Sequence, residues 1–134
     1  MKSTASIKYL RISSKKIKTL GKMVVGLPPQ EAIDRLVFSG TKAGRILSKV
    51  IQSAYSNSVN NLRMNTAKLK IKSVMVNKGP MFKRWNPVSR GIAHSIKKRT
   101  SHIKIQIEEV DKLNIKKKEI NSEKEKVIQK ELKK

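Results

Sequence analysis

The chain has 134 residues, no cysteine and a formal net charge of +23, and 37% of its residues are hydrophobic. This length allows one small domain with a modest core, and the lack of cysteine excludes disulfides, thiolate metal sites and cysteine nucleophiles. Its apolar runs span only a few residues, far below the ~20 of a membrane span, and a charge of this size predicts a polyanionic partner.

The first third of the chain predicts one strand and two helices. Residues 5 to 12 alternate weakly and predict a short strand that ends at a serine pair. Either Ser13 or Ser14 can cap the helix that follows, which is expected to end near Gly26. A Pro-Pro step at 28 and 29 then favours a second, short helix over about residues 29 to 38.

A third helix, over about residues 42 to 60, is predicted to supply most of the core. Thr41 is a plausible N-cap, and the segment carries an apolar stripe at helical spacing, formed by Ala43, Ile46, Leu47, Val50, Ile51, Ala54 and Tyr55. Residues 62 to 67 are expected to form a loop.

From Lys68 the apolar period changes to two, which predicts strands around residues 69 to 76 and 103 to 107. They are expected to pair in an antiparallel manner, although hairpin strands are normally joined by two to five residues. The long interval, residues 77 to 102, contains glycine and proline and too few apolar residues to form a core. If it stays extended, each leg of ~11 residues reaches roughly 35 Å beyond the sheet. We therefore predict a projecting arm.

Residues 111 to 134 differ from the rest of the chain, because they mix lysine and glutamate with sparse apolar residues. This composition suits a solvated helix or a disordered segment. The expected organisation is thus one domain over residues 1 to 110, which includes the arm, and a charged C-terminal extension over 111 to 134.

The charge is concentrated in the middle of the chain. Residues 35 to 107 contain 16 basic and no acidic side chains, whereas residues 108 to 134 are nearly balanced. Internal ion pairs cannot neutralise such a segment. Its counter-charge is expected to come from a partner.

Catalytic and metal-binding interpretations find little support. Glu31 and Asp34 share a helix face, which complements the helix dipole better than it suggests an acid/base pair. A glycine-containing stretch at residues 39 to 45 departs from phosphate-loop spacing, and a helix start with a small residue, Gly44, at a packing contact accounts for it better. His94 and His102, without cysteine, do not form a zinc ligand set, and His102 is predicted to be an exposed strand residue.

The hypothesis that the chain binds nucleic acid rests on the composition of the arm. Its residues 78 to 99 contain seven basic side chains, no acid, and the aromatic residues Phe82 and Trp85. Phosphates can order such a backbone, while rings stack on splayed bases. Trp85 either stacks in this way or packs within the arm. The alternative to a nucleic-acid-binding arm is a disordered basic loop.

An extended probe suits crevices in folded RNA, whereas readers of duplex DNA generally place a helix or ribbon in a groove. Two other classes stay open from the residues alone. One is a nucleoid-type DNA-compacting protein. The other is a membrane-surface protein with a basic amphipathic helix, which the core-facing helical stripes and the non-helical basic stretch disfavour.

Several motifs resemble one known family, bacterial-type large ribosomal subunit protein twenty-two, over roughly residues 5 to 109. The strongest is Lys-Arg-Thr-Ser-His-Ile at 98 to 103, which enters the last strand. Further matching positions are Arg11-Ile12-Ser13, Lys15-Lys16, Glu31-Ala32, Ser53-Ala54, Asn57, Asn60, Gly79-Pro80, Lys83-Arg84, Pro87 and Arg90-Gly91.

The resemblance implies an α+β fold, with three helices on a three-stranded antiparallel sheet and a long projecting β-hairpin. It also implies a structural, non-enzymatic protein without a cofactor or metal, whose partners are large-subunit ribosomal RNA, neighbouring ribosomal proteins and the nascent polypeptide, with no membrane. By position, the RNA-binding residues would be Arg11, Lys15, Lys16, Lys18, Lys78, Lys83, Arg84, Trp85, Arg90, Lys97, Lys98 and Arg99. The hairpin tip lining the peptide exit tunnel would comprise Lys83, Arg84, Trp85, Asn86, Pro87, Val88, Ser89 and Arg90.

The expected location is the ribosome. No cleavable leader is evident, so the chain is expected to work in the compartment where it is translated. That compartment is the bacterial cytoplasm, or the plastid stroma if the gene is organellar.

Overall fold

The computed structural model describes residues 1 to 110, so the predicted charged extension lies outside the described residues. Within these residues, three α-helices and three strands follow one another. They are β1 (Lys2–Leu10), α1 (Ser14–Val24), α2 (Pro29–Phe38), α3 (Lys42–Ser56), β2 (Leu69–Pro87) and β3 (Ala93–Glu109). The predicted α+β class is confirmed.

The sheet is antiparallel with the order β1-β3-β2, so β3 is the central strand. The isoleucines of β3 at 103, 105 and 107 are buried against the helices. The predicted pairing of β2 with β3 is confirmed. β1 begins and ends earlier than the predicted 5 to 12, because its pairing runs from Lys2 opposite Glu108 to Leu10 opposite Ser101. Long-range pairing, and not the weak local alternation, sets its bounds.

The helices cover one face of the sheet. Ile17 and Val24 of α1 and Leu47 and Ile51 of α3 are almost fully buried in the shared core. The α2 bounds agree with those predicted. Thr41 caps α3 as expected, because its Oγ1 accepts a hydrogen bond from the Gly44 N–H at 3.0 Å.

The third helix is predicted to reach about residue 60, but its α-helical part ends at Ser56 and a π-helical turn, Asn57–Asn61, follows. The turn places a side-chain amide next to β1, since Asn57 Nδ2 donates to the Thr4 carbonyl at 3.3 Å. Such wide turns fit one extra residue where a tertiary contact requires it, which apolar periodicity does not reveal. The predicted loop at 62 to 67 ends in a short 3₁₀ turn, Thr66–Lys68.

Beyond the domain, β2 and β3 continue as a two-stranded arm, which we define as residues 77 to 102. Pairing persists from Asn77 opposite His102 to Pro87 opposite Ala93. The chain reverses through a turn at Ser89–Gly91, where Arg90 adopts a positive φ of 62°. The predicted extended arm is thus confirmed as a β-hairpin.

The outer edge of β2 is partly covered at the domain. Gly26 N–H donates to the Ile71 carbonyl at 2.8 Å, and Ile71 N–H donates to the Leu27 carbonyl at 3.0 Å. The link between α1 and α2 therefore satisfies edge groups that would otherwise face solvent.

Candidate nucleic-acid interface

A groove crosses the base of the arm, where the starts of α1 and α3 meet the returning strand β3. It consists of two neighbouring cavities, of about 730 and 410 Å³, that share Ser13, just before α1, and residues of β3. We call it the arm-base groove. Its basic side chains are Arg11, Lys15, Lys16, Lys42, Lys78, Lys97, Lys98 and Arg99.

Close packing of α2 against α3 positions one wall of the groove. A Cβ at Gly44 would lie only 2.7 Å from the Leu36 carbonyl oxygen and 2.6 Å from Ser39 Oγ. The expected role of this glycine as a small residue at a packing contact is therefore confirmed. Because α3 can begin so close to the end of α2, Lys42 and Ala43 reach the groove.

A bulge in β2 positions the opposite wall. The register of β2 against β3 shifts between Lys78 and Met81, around a Gly-Pro step. Thr100 Oγ1 donates to the Pro80 carbonyl at 2.6 Å and fixes the bulge to β3. This contact sets where the arm leaves the domain and where Phe82 faces the groove.

The charged side chains of residues 1 to 110 that line the groove are all basic. No carboxylate of residues 1 to 110 lines either of its cavities. Within residues 1 to 110, the ion pairs join Arg35 to Glu31 and Lys72 to Glu108, and both lie away from the groove. None of the groove cations has a carboxylate partner in this part of the chain, so the field at the groove attracts anions.

The arm beyond the groove also lacks internal neutralisation. Lys83 lies directly opposite Lys97 in the ladder, and like charges in that position destabilise a strand pair. On the other face, the Arg84 guanidinium lies 5.7 Å from the centre of the Phe82 ring, within cation–π range. Trp85 is 65% exposed, so it does not pack inside the arm in this structure.

The structure brings together most of the basic residues that the sequence singled out. Arg11, Lys15 and Lys16 lie beside Lys97, Lys98 and Arg99 in the groove, and Lys78 lies at the base of the arm. Lys18 is exposed on α1 and lines neither cavity. Residues 83 to 87 belong to paired β2, while Val88, Ser89 and Arg90 enter and form the turn.

Sequence reasoning missed Lys42, Thr19 and Leu20 as groove residues. It named Phe82 as an arm aromatic that could stack on bases but left it out of the RNA-binding residues. Lys42 and Phe82 are far apart in the chain and line the same cavity only because α3 docks beside the arm. The one available signal was that Lys42 follows the predicted cap Thr41, which places it at a helix start.

The aromatic pair on the open face of the sheet was also missed. Tyr9 has a positive φ of 59° at a bulge in β1, and its N–H donates to His102 Nδ1 at 3.0 Å. The two rings meet edge to face with centroids 4.8 Å apart. His102, predicted to be exposed, is half-buried because of these contacts.

Residues 1 to 110 contain neither a cluster of potential metal ligands nor a helix suited to cross a membrane. Within residues 1 to 110, no three side chains of the metal-ligating types lie together. None of the helices in this range combines the length and apolar character that crossing a bilayer demands.

These features define a small α+β domain with a basic groove and a basic hairpin arm, and comparison with known proteins agrees. Residues 5 to 108 match the model of the family described as ribosomal protein L22p/L17e. The chain belongs to this family.

Several curated relatives carry the name large ribosomal subunit protein uL22. The protein from Clostridioides difficile is 40% identical over 81% of this chain and 98% of its own length. That from Mycoplasma mobile is 38% identical over 81% of this chain and 99% of its length. That from Akkermansia muciniphila is 40% identical over 78% and 94%. The matched part corresponds to the domain and arm.

Proposed function

We propose that the chain is a structural, non-enzymatic constituent of the large ribosomal subunit, where it binds ribosomal RNA, supports assembly and contacts neighbouring ribosomal proteins. The observation that carries the proposal is the arm-base groove, whose basic side chains have no carboxylate partner among residues 1 to 110. Membership of a ribosomal protein family and the names of the relatives support it.

The proposed mechanism is neutralisation of phosphates at many sites. Arg11, Lys15, Lys16 and Lys18 contact RNA from the domain, and Lys78, Lys97, Lys98 and Arg99 contact it along the arm. Each neutralised phosphate releases condensed counter-ions, so affinity falls steeply with salt. Phosphates of the RNA also reduce the repulsion between Lys83 and Lys97, so bound RNA stabilises the arm.

The distal arm is proposed to form part of the wall of the nascent-peptide tunnel. The proposed wall residues are Lys83, Arg84, Trp85, Asn86, Pro87, Val88, Ser89 and Arg90. All of them are exposed in the isolated chain, so they are available to RNA on one side and to a nascent polypeptide on the other.

Sedimentation tests the ribosomal assignment. We expect the full chain to remain with large subunits through a high-salt wash and, when free, to bind folded large-subunit RNA in preference to duplex DNA. Release by the wash together with equal binding to both nucleic acids would instead favour a DNA-compacting protein.

Crosslinking tests the position of the tip. A photo-reactive amino acid in place of Val88 should crosslink to a stalled nascent chain, because this position adjoins the turn of the arm. The same group at Gln30, exposed on α2, serves as the control. Equal crosslinking at the two positions would contradict the tunnel assignment.

A further inference from the structure

We propose that the larger cavity of the arm-base groove receives a single unstacked nucleotide of the RNA, with the base against an apolar wall and its phosphates among the basic side chains of the rim. This inference rests on the proposed function, since it names the RNA element that the groove would take. It assigns a ligand to residues, among them Phe82 and Leu20, that phosphate neutralisation alone does not require.

The size of the cavity fits a compact ligand. Its volume of about 730 Å³ falls within the range of ~300 to 1,000 Å³ found for small-molecule pockets. A lone phosphate would leave most of this space unused, whereas a duplex could not enter it.

The lining has two chemical parts. Ile12, Leu20, Ala43 and Phe82 supply apolar surface, while six basic side chains surround it. An anion without an apolar group would not contact the apolar surface, and an apolar peptide would not pair with the basic side chains. A nucleotide combines a flat base with a phosphate on each side, so it matches both.

Phe82 is suited to stack on a base. Its side chain is 43% exposed, and the contact with Arg84 holds the ring from one direction. Stacking of a base on an aromatic ring strengthens binding by roughly 5- to 150-fold, as judged by alanine substitution. RNA offers such bases in loops and bulges, where they are already splayed out, whereas duplex DNA would have to be unstacked first.

The cavity joins two parts of the molecule. Leu20 and Ala43 belong to the helices, whereas Phe82 and Lys98 belong to the arm. A nucleotide held between them would contact both walls at once and fix the direction of the arm relative to the domain.

A substitution that fills the cavity without changing charge tests the proposal. Thr19 is exposed on α1 and lines the cavity, and phenylalanine has a similar helix propensity, so Thr19→Phe should fold normally. Gln52→Phe, at an exposed position of α3 outside the groove, is the matched control. Circular dichroism verifies that both variants fold.

Complexes of the full chain with large-subunit RNA give the readout. We expect the native chain and Gln52→Phe to crosslink one unpaired nucleotide to Phe82 under ultraviolet light and to protect it from base-specific reagents. Thr19→Phe should lose both signals and about tenfold in affinity, while the slope of affinity against salt stays unchanged because every cation is retained.

The outcomes separate this proposal from the proposed function. Tight binding by all three proteins, with equal protection and no loss in Thr19→Phe, would overturn the nucleotide site and leave RNA binding in place. Failure of the native chain to bind large-subunit RNA would overturn both.

A small probe gives an independent test on the free chain. In an NMR titration, adenosine 5′-monophosphate should shift the resonances of Phe82 and Leu20, whereas inorganic phosphate should shift only those of the basic side chains. Equal shifts with both probes, or stronger competition by a short polyglutamate peptide, would contradict the proposal.

Discussion

Gly79 stands where the arm leaves the domain, and its position leaves no room for a side chain. A Cβ there would lie 2.4 Å from Thr100 Oγ1 and 3.3 Å from the Thr100 carbonyl carbon. The hydroxyl is itself held by the Pro80 carbonyl, and the carbonyl carbon belongs to the backbone of the central strand. Neither atom can move away without disturbing the bulge.

We therefore expect Gly79→Ala to lower the free energy of unfolding by about 1 to 3 kcal/mol, the usual cost of forcing extra atoms into a packed site. Urea denaturation of the full chain measures this change. Ser95→Thr, which also adds a methyl group but on the exposed arm, should change stability by less than about 0.5 kcal/mol. Equal effects of the two substitutions would mean that Gly79 is not tightly enclosed.

At the scale of elements, the two helices that reach the groove begin differently. The Thr41 hydroxyl caps α3, whereas the Ser13 side chain makes no capping hydrogen bond with α1. Thr41→Ala should therefore cost about 1 kcal/mol of stability and Ser13→Ala less than about half of that. Thermal unfolding of the two variants measures the difference, and an inverted order would show that the Thr41 cap is not what stabilises α3.

Reversing the charge of one of the opposed lysines of the arm should stabilise the free arm but weaken RNA binding. Lys97→Glu replaces a like-charge pair across from Lys83 with an ion pair, which should stabilise the free arm by about 0.2 to 1 kcal/mol. Hydrogen exchange of the arm amides should slow accordingly. The same change should weaken RNA binding, because a contact with phosphate becomes a repulsion.

Lys97→Gln is the control for charge removal alone, and it should fall between the native chain and Lys97→Glu in both measurements. If Lys97→Glu raised both the stability of the free arm and the affinity for RNA, or lowered both, the proposal that RNA relieves repulsion within the arm would be contradicted.

Local patterns predicted most elements but not the groove. Pro28, Pro29 and the apolar spacing were enough for α2, and the change of period at Lys68 was enough for the first part of β2, whose strand continues to Pro87. The π-helical turn after Ser56 and the early start of β1 depend on contacts between distant segments. The groove depends on them even more, since Lys42 and Phe82 carry no local pattern that relates one to the other.

For the whole molecule, the salt dependence of RNA binding should report how many groove cations meet phosphate. Each neutralised contact contributes roughly 0.7 to 0.9 to the slope of log affinity against log salt. Replacing Arg11, Lys16 and Lys42 together with glutamine should therefore reduce the slope by about 2 to 3. Filter binding over a range of potassium chloride concentrations measures it.

The matched control replaces Lys2, Lys22 and Lys49, three basic residues that line neither cavity of the groove. Its slope should change by less than that of the groove variant. Identical slopes for the two variants would mean that the field of the whole chain, and not the groove, determines binding.

The strand edges of the arm also bear on how the free chain could associate with itself. The link between α1 and α2 covers the edge of β2 only near Ile71, and pairing of β1 with β3 ends at Ser101, so within the described residues both margins of the arm are open ladders. Open ladders invite another copy to add itself as a strand. We expect the repelling lysines and arginines along the arm to oppose this self-association, so that under the proposed function the charges that bind RNA would also keep newly made copies apart.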